Sequence, residues 1–551
     1  MTIDSLIMKK FSIFFLVALA TMLIACSSDY ENYVPETEIP EEPTETISFT
    51  EDELLVLTQM RNPDNRICID EATEIALNAL NFFGAETSTR SGQMRSIAGV
   101  TALRGEPTTR LTTRSADGND VQIQMPDTVA FVINFADEAG FTIVAADTRI
   151  TSPVLAFVKD GYLDLSEEID HPGLAVFFAG MEEYIEWSII EAEQLRESLL
   201  EEILAKMDKI GVRDTIFHDD VNTRFVFIPD PGNYVEVGRT VMVTETPTGN
   251  WTTVSRVGPL LPVEWGQGFP FNHLVPMVCP DRRDGRAPAG CDATAAAMIM
   301  AYWRHPAQID GFQMNWDIMN RFTARPDAYD NVMGKYPLPA FGVALNPNQT
   351  LFKNNVARLM ERIGVHIGTV YGCGGSTANS PAVIRFLRST GYTGGEESGF
   401  NLSLVLASLS PHRRPVLIRG DSGRNSNWWI FPNDYWGGHA WVIDGYLRRS
   451  QEILVTVTTF IHMEPVQIPG EPPRRGHTVV TTATHMRHQL SPYFLHNNWG
   501  WNGSGYGGGA NGFFVAGGFD SRRDPDWTSS TRSDKTGYFR YRLRIYTNIR
   551  R

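Results

Sequence analysis

Cysteines, metal-ligand patterns and long apolar runs are all scarce in this sequence. Only five cysteines occur among 551 residues, too few for a fold that depends on a disulfide framework. Neither an H-E-x-x-H pattern nor a pair of C-x-x-C motifs is present, so we expect no metal and no cofactor. Beyond the N-terminal segment, no apolar run is long enough to cross a bilayer as a helix.

The chain also lacks the features of nucleic-acid and nucleotide binding. Its formal net charge is −16, and the basic residues of its C-terminal half form no clustered stripe, so we expect no nucleic-acid partner. The glycine-rich run between Gly505 and Gly512 follows Trp and Asn residues and opens no helical pattern. A phosphate-binding loop is therefore not expected there.

The N-terminus has the pattern of an export signal. A positive segment from Met8 to Lys10 precedes an apolar stretch, Phe11 to Leu23, that is too short to span a bilayer as a mature helix. The following residues complete a Leu-Ile-Ala-Cys26 motif, which resembles a bacterial lipobox. We therefore expect residues 1–26 to be a lipoprotein signal peptide with the lipid on Cys26. A plain secretory signal is the alternative.

Residues 27–50 are rich in Glu, Pro and Thr and contain almost no apolar clusters. This composition predicts a disordered acidic tether. The protein is thus expected to be exported and held at the cell surface or in the periplasm, with release after processing as a further possibility. It would touch the membrane only through its N-terminal lipid anchor.

Residues 51–240 predict a separate and smaller α+β domain. Apolar periodicity and breaker residues predict a helix over 69–83, a long loop over 84–120, strands over 129–135, 140–146 and 154–157, and a long Glu-rich helix over 173–207.

The charge is divided unequally along the chain. Residues 256–551 contain 31 Lys and Arg against 21 Asp and Glu, a net charge of +10, whereas the remainder has a net charge of −26. An acidic N-terminal domain should associate electrostatically with a basic C-terminal domain. This predicts a folded inhibitory domain that lies on the C-terminal one. The alternative is that the asymmetry only reflects solvated faces such as the Glu-rich helix.

One cysteine has the sequence context of a nucleophile. Cys291 follows Ala-Gly290 and opens a run of small residues that continues into Met298–Trp303, which predicts a buried helix that ends before Pro306. A cysteine at a helix N-terminus lies beside unpaired backbone N–H groups, and the helix dipole stabilises its thiolate. Taken alone, the same pattern also suits a small, inert, buried cysteine.

Three other segments supply the partners that such a nucleophile needs. His439 follows two glycines at the start of an apolar strand and is the expected base. Gln267 could donate one N–H to an oxyanion, with the backbone N–H of Cys291 as the second donor. Asn498 and Trp499 could orient and shield the imidazole.

Taken in chain order, these segments resemble the motifs of the streptopain family of papain-fold cysteine peptidases. The sequence reads Trp-Gly-Gln267-Gly-Phe-Pro-Phe-Asn, Ala-Gly-Cys291-Asp-Ala-Thr-Ala, Gly-Gly-His439-Ala-Trp-Val-Ile-Asp-Gly and His-Asn-Asn498-Trp-Gly-Trp. The family motifs look like W-x-Q-x-x-P-Y/F-N, A-G-C-x-A-T-A, G-G-H-A-F/W-V-I-D-G and H-x-N-W-G-W. The resemblance extends from about Val257 to the C-terminus.

The resemblance implies a two-part, papain-like α+β catalytic domain over residues 255–551. It implies that Gly438, Ser376 and Thr377 contribute to substrate binding, and that an apolar residue is preferred at the second position before the cut. Upstream, Gly-Phe-Thr-Ile-Val-Ala-Ala-Asp147 is similar to a line of the streptopain-type propeptide. This similarity makes residues 51–240 an inhibitory prodomain.

Within the catalytic domain, helices are expected to precede strands, as in the papain arrangement. The pattern predicts helices over 354–363 and 381–390, and strands over 415–420, 453–460, 493–496, 513–515 and 538–546.

Four residues raise questions that the motifs do not answer. Asp292 replaces the apolar residue that usually follows the family cysteine, and its carboxylate would oppose a thiolate if it pointed inward. Cys373-Gly-Gly replaces serines in a segment that helps to line the cleft. Cys279 and Cys373 could form a disulfide, which the sequence leaves open. His496 is a second candidate base, which we interpret as structural.

The expected function is that of an exported cysteine endopeptidase made as a zymogen. Its partners would be protein or peptide substrates and its own propeptide, which would end between residues 215 and 256. The enzyme itself or an outside protease would remove the propeptide. A papain-fold amidase or transglutaminase, and a non-enzymatic surface-binding lipoprotein, are the alternatives. A binding surface has no need of Gln267, Cys291 and His439 together.

Overall fold

The computed structural model describes the chain from Phe49 onward, apart from several segments. The described residues are 49–60, 64–84, 95–104, 110–114, 120–124, 127–166, 171–209, 234–323, 336–423, 436–465, 476–501, 510–519 and 543–551. The expected signal peptide, the lipid on Cys26 and most of the tether lie outside them. No helix within these ranges is both long and apolar enough to cross a membrane.

The helices and strands of the described residues alternate along the chain. The helices are α1 (Glu51–Met60), α2 (Ile69–Phe83), α3 (Pro172–Lys209), α4 (Cys291–Trp303), α5 (Trp316–Met319), α6 (Pro347–His366), α7 (Ser380–Ser389) and α8 (Leu402–Leu409). The strands are β1 (Ile97–Arg104), β2 (Arg110–Arg114), β3 (Asp120–Gln124), β4 (Thr128–Phe135), β5 (Phe141–Ala145), β6 (Val154–Val158), β7 (Tyr234–Pro247), β8 (Thr252–Val257), β9 (Gln308–Ile309), β10 (Phe312–Gln313), β11 (Phe322–Thr323), β12 (Tyr336–Pro337), β13 (Glu396–Gly399), β14 (Val416–Gly423), β15 (Trp436–Pro465), β16 (His477–Leu490), β17 (Phe494–Asn498), β18 (Gly512–Val515) and β19 (Arg544–Thr547).

Thirteen strands of the described chain form one antiparallel sheet. Its central path runs β1-β4-β5-β6-β18-β17-β15-β14-β19-β13, and β7, β8 and β16 pair with further parts of the long β15. The first four strands of this path belong to the N-terminal part of the chain. They join the C-terminal part at the pair β6–β18, where Phe157 lies opposite Phe513.

The two parts of the chain share a hydrophobic core as well as a sheet. Residues Phe49–Arg551 form one compact unit. On α2, Phe83 stacks on Phe157 with ring centroids 4.7 Å apart and meets Phe494 edge-on at 5.0 Å. Strand pairing and aromatic packing therefore join the acidic and basic parts directly, in addition to any attraction between their opposite charges.

Most elements that the sequence predicts are present, with boundaries shifted by a few residues. One expectation is wrong: the stretch 84–120, predicted as a loop, contains β1 and the start of the β2–β3 hairpin. Its Ser, Thr, Arg and Gly content is typical of loops. Pairing with β4 nevertheless stabilises β1 as a strand, for example where Val100 lies opposite Ile133. The sequence pattern does not predict helices α1, α5 and α8 or strands β7–β13 and β16.

A three-stranded ribbon extends the catalytic part beyond its core. The second half of β15 pairs with β16 on one side and with β7 on the other, so that Val455 lies opposite both His485 and Glu245. Apolar residues of α1 and α3, among them Leu57 and Ile203, pack with Val455 in a separate cluster. The expected prodomain boundary at residue 240 falls inside β7.

The helix that begins at Cys291 packs closely because its side chains are small. All positions from Asp292 to Ala301 are buried, and α4 lies against β15, α6 and α7. Gly290 precedes it with a φ of 97°, and a Cβ there would lie 3.1 Å from the carbonyl oxygen of Ser376. Only glycine suits both the backbone conformation and the close approach.

A disulfide bond joins Cys279 to Cys373, with Cα atoms 5.3 Å apart. It links the segment before α4 to the glycine-rich loop of residues 371–378, which lies before α7, across 94 residues of sequence. The pair that the sequence left open is therefore formed, and it braces the loops on one side of Cys291.

Replacing both Cys279 and Cys373 by alanine should lower the free energy of unfolding by about 2–5 kcal/mol, because the bond restricts the unfolded chain. The measurement is denaturant unfolding without reductant, in a Cys291→Ser background that cannot process itself. Reductant should cause a similar loss in the chain that keeps the pair. An equal effect of reductant on the alanine variant would contradict the assignment.

Candidate active site

Cys291 occupies the first position of α4, and its thiol is unpaired and partly exposed. The backbone N–H of Ala440 on β15 lies close enough to the thiol to lower the pKa of Cys291. Ala440 directly follows His439, so the helix presents its thiol at the strand that carries the predicted base. The close packing of small residues in α4 makes this approach possible.

In this state the surroundings keep the thiol of Cys291 protonated. Burial raises the pKa of Cys291 to about 12, and the negative charge of Asp292 acts in the same direction. The backbone N–H of Ala440, the positive charge of Arg419 and the backbone N–H of Asp292 lower it. The helix N-terminus alone therefore does not produce a thiolate, and a group that removes the proton is needed.

His439 is almost completely enclosed, with 1% of its surface exposed. Its Nε2 donates a hydrogen bond to the carbonyl oxygen of Trp499 at 2.8 Å, since a carbonyl can only accept. This bond leaves Nδ1 as the basic ring nitrogen. The rings of Trp441, Trp501 and Trp499 surround the imidazole, with centroids 5.8, 5.9 and 6.4 Å away.

The imidazole and the thiol are both neutral in this arrangement. Burial lowers the pKa of His439 to about 3, and the neighbouring His171 contributes to the shift. Within the described residues, no hydrogen bond joins the imidazole to the sulfur of Cys291. The site thus contains the components of a thiolate–imidazolium pair without the pair itself.

The turn that begins α3 covers the aromatic wall around His439. The ring of His171 lies 6.1 Å from that of Trp499 and 5.8 Å from that of Trp501, and its Nδ1 accepts a hydrogen bond from the backbone of Leu174 at 3.0 Å. A Cβ on Gly173 would overlap the indole of Trp499, so glycine is required for this contact. The N-terminal part of the chain therefore covers the tryptophans that enclose His439.

Gln267 has the properties of an oxyanion donor. Its side chain is buried, and its Nε2 finds no hydrogen-bond acceptor among the described residues. Its backbone carbonyl accepts a hydrogen bond from Ala289 at 2.8 Å, which fixes it to the segment that leads into Cys291. A buried N–H without a partner is costly, and a substrate oxygen would satisfy it.

Asn498 and Trp499 lie together at the end of β17 but make different contacts. The Nδ2 of Asn498 donates to Val263 at 2.9 Å, and its Oδ1 accepts from Gly500 at 3.3 Å. Its amide thus binds backbone and not the imidazole. Trp499 orients His439 through its carbonyl, while its indole Nε1 donates to Ala510 at 3.0 Å.

The predicted substrate-binding residues lie on both sides of the catalytic pair. Ser376 is buried, and its Oγ donates to the carbonyl of Pro288 at 2.7 Å, which braces the segment before Cys291. Thr377 is exposed and pairs with Val370 through its backbone. Gly438 lies at the start of β15, directly before His439.

His496, the second candidate base, is engaged elsewhere. Its Nδ1 lies 2.6 Å from Oδ1 of the buried Asp444, and Oδ2 of the same carboxylate accepts a hydrogen bond from Leu261 at 3.0 Å. This pair ties β17 to β15 and to the segment after β8, in agreement with a structural role.

Sequence reasoning missed His171 and Arg419. The Pro-Gly after His171 predicts a helix start, but not which surface that start contacts. Arg419 interrupts the apolar run of β14, and a charged residue in a buried strand signals a buried partner. That partner is Asp292, whose carboxylate lies 3.2 Å from the guanidinium.

The family comparisons agree with this site. Residues 265–514 match the model of the Peptidase C10 family, and residues 64–185 match that of the Spi protease inhibitor. The first match contains Gln267, Cys291, His439 and Trp499, and the second contains His171.

Two solved structures are similar to this chain. The first is a mutant fragment of Prevotella intermedia prointerpain A, with 16% sequence identity, 80% of this chain and 98% of that chain covered, and a TM-score of 0.38. The second is active wild-type Prevotella intermedia interpain A cysteine protease, with 20% identity, 48% and 87% covered, and a TM-score of 0.28. No curated protein matches the chain.

The two family matches follow each other in the order inhibitor, then peptidase, and between them span most of residues 64–514. The motifs that suggested a cysteine peptidase lie inside the peptidase match. The chain therefore carries a Peptidase C10, or streptopain-family, domain behind a Spi inhibitor domain: it is a cysteine endopeptidase with its own propeptide inhibitor.

Proposed function

We propose that Cys291 is the nucleophile of this peptidase, His439 its base and Gln267 an oxyanion donor. The observation that carries this assignment is the packing of the helix that begins at Cys291 against β15, where the backbone N–H of Ala440, the residue next to His439, lowers the pKa of the thiol. It joins the positive end of a buried helix to the strand with the base, which is the arrangement that thiol catalysis needs.

In the active form, Nδ1 of His439 takes the thiol proton, and the thiolate attacks the carbonyl carbon of the peptide bond. The imidazolium then protonates the leaving amine, and a water molecule, deprotonated by His439, releases the acyl group from the sulfur. Gln267 and the backbone N–H of Cys291 bind the oxyanion in both steps. The Trp499 carbonyl holds the imidazole in the required tautomer throughout.

Latency in this proposal comes from burial of the catalytic pair. The turn at His171 and Gly173 encloses the imidazole, so its protonated form is disfavoured and the thiol keeps its proton. Departure of the turn would admit water, raise the pKa of His439 toward its ordinary value and allow Nδ1 to approach the sulfur. Removal of the prodomain would thus make His439 and Cys291 reactive and would also open the site to substrate.

We place the activating cut between residues 209 and 234, outside the described residues. A cut after β7 would remove β7 from the sheet. This strand pairs with the second half of β15 from end to end, with Tyr234 opposite Pro465 and Pro247 opposite Ile453. A cut before β7 leaves this ribbon intact, so the mature enzyme would begin shortly before Tyr234. The enzyme itself or an outside protease could make this cut.

We also propose that the protein is an exported lipoprotein anchored through Cys26. The positive segment, the short apolar stretch and the Leu-Ile-Ala-Cys motif support this proposal. Cleavage between 209 and 234 would then separate the catalytic part from the anchored segment.

Self-processing should depend on the proposed nucleophile. A chain that begins after Cys26 should cut itself before Tyr234, whereas the Cys291→Ser chain should stay intact, because no thiolate can form. Gln267→Ala should slow the cut by about 100- to 1000-fold. Gel analysis and N-terminal mass measurement check this. A wild-type domain that an outside protease releases and that still cleaves no peptide would favour the binding-protein alternative.

The reactivity of Cys291 should report the latent state. In the full-length chain, the raised pKa of Cys291 predicts slow alkylation at pH 7, with a rate that still increases above pH 9. After release of the prodomain, pairing with His439 should give fast alkylation that is already present near pH 5. A Cys68→Ser background removes the other unpaired thiol of the described residues. Equal pH profiles before and after release would contradict latency by burial.

Fatty-acid labelling should depend on Cys26. The Cys26→Ser chain, expressed with its N-terminal segment, should incorporate no labelled fatty acid and should leave the membrane fraction. Cys68→Ser is the matched control, because it removes another exposed thiol without touching the lipobox. A soluble, unlabelled wild-type chain would favour the plain secretory signal.

A further inference from the structure

A buried carboxylate lies directly beside the proposed nucleophile. Asp292 is 2% exposed, and its Oδ1 accepts a hydrogen bond from Ser380 Oγ at 2.7 Å. Its Oδ2 accepts one from Arg419 Nη1 at 3.2 Å and lies 4.0 Å from the sulfur of Cys291. Both carboxylate oxygens therefore have donors, and one of them also faces the thiol.

Arg419 joins three parts of the catalytic domain through a single nitrogen. Besides Asp292 on α4, its Nη1 donates to the carbonyl of Ala378 at 2.9 Å and to Ser380 Oγ at 3.3 Å. Both acceptors lie where the glycine-rich loop enters α7. Arg419 itself sits on β14 opposite Ala440, the residue whose backbone N–H lowers the pKa of Cys291.

These contacts span the two halves of the papain-like domain. Asp292 and Ser380 belong to the helical half, whereas Arg419 belongs to the sheet that carries His439. The distance between thiol and imidazole depends on how these halves sit against each other. A charge-assisted bridge between the two halves fixes their relative position more strongly than neutral hydrogen bonds would.

The charges of the bridge act on the thiol in opposite directions. An uncompensated carboxylate within about 4–6 Å opposes thiolate formation, and a guanidinium at similar range favours it. Among the described residues, His439 on β15 and Tyr546 on β19 interact electrostatically with Arg419, Tyr546 also interacts with Glu397 and Arg544, and in the latent chain His171 acts on His439. Burial raises the pKa of Tyr546 to about 12, so its hydroxyl stays neutral at the pH values where the enzyme would work.

We propose that Arg419 is a positioning residue for catalysis, which holds Cys291 against the His439 strand through Asp292 and Ser380. It also neutralises the carboxylate that this chain places next to its nucleophile, where the family has an apolar residue. Asp292 and Arg419 thus form a matched pair, and we expect the loss of one charge alone to change the pKa of Cys291 more than the loss of both. This inference rests on the proposed role of Cys291.

The test measures alkylation of Cys291 against pH in enzyme released from the full chain. Each variant carries Cys68→Ser and is cut at the same engineered protease site within residues 210–233, so release does not depend on activity. Arg419→Gln should shift the midpoint of the alkylation curve upward by about one pH unit or more, and should reduce the rate below the midpoint by about tenfold.

The partner variants separate charge from folding. Asp292→Asn together with Arg419→Gln should bring the midpoint back to within a few tenths of a unit of the wild type, because both charges are gone. Arg419→Lys should keep the wild-type midpoint but lower kcat, because one ammonium cannot reproduce the guanidinium contacts. A double variant as shifted as Arg419→Gln would overturn the charge-matching part of the proposal.

A control of the same chemistry lies at the other end of α4. Arg304 pairs with Asp317 at 2.7 Å on the surface, so Arg304→Gln should leave midpoint and kcat unchanged. A wild-type midpoint in folded Arg419→Gln enzyme would reject the inference while leaving Cys291 as nucleophile. Activity in the Cys291→Ser chain would instead reject the proposed function itself.

Discussion

The active site depends on the contact between the N-terminus of α4 and strand β15. Alanines along α4 allow the helix to approach the strand, and Gly290 lets the chain turn into it. As a result, the thiol of Cys291 lies beside the backbone N–H of Ala440, which lowers the pKa of the thiol. Larger side chains in this buried helix would push it away from the strand, because interiors at native density have no space to absorb added volume.

The N-terminal inhibitor part of the chain extends structures that the C-terminal part already has. It adds four strands to the sheet through β6 and β18, and it adds Phe83 to an aromatic cluster with Phe494. Its turn at His171 then completes the enclosure of His439. Because the same enclosure lowers the pKa of the imidazole, packing and proton chemistry are controlled by one contact surface. Opposite net charges can assist this association, to which strand pairing and apolar contact also contribute.

The surroundings of Cys291 show how a chain can accommodate an unfavourable residue beside its nucleophile. A lone carboxylate at the position of Asp292 would raise the cost of forming a thiolate. The strand next to β15 supplies Arg419, and Ser380 completes the hydrogen bonding of the carboxylate. The charge beside Cys291 is therefore bound into the link between the two halves of the domain.

The sequence by itself determined the family and the α+β class, and it predicted Cys291, His439 and Gln267 as the site residues, because all of these depend on residue types at fixed spacings in local motifs. It also predicted most of the longer helices and strands, because the spacing of apolar residues within a single segment indicates whether that segment is a helix or a strand. Only the tertiary structure decided that Trp499 and not Asn498 orients the imidazole, that Asp292 points inward to Arg419, and that Cys279 bonds to Cys373. These contacts join segments that are far apart in the sequence. A local sequence pattern indicates which residues are buried, but it does not specify which distant residue a buried side chain contacts.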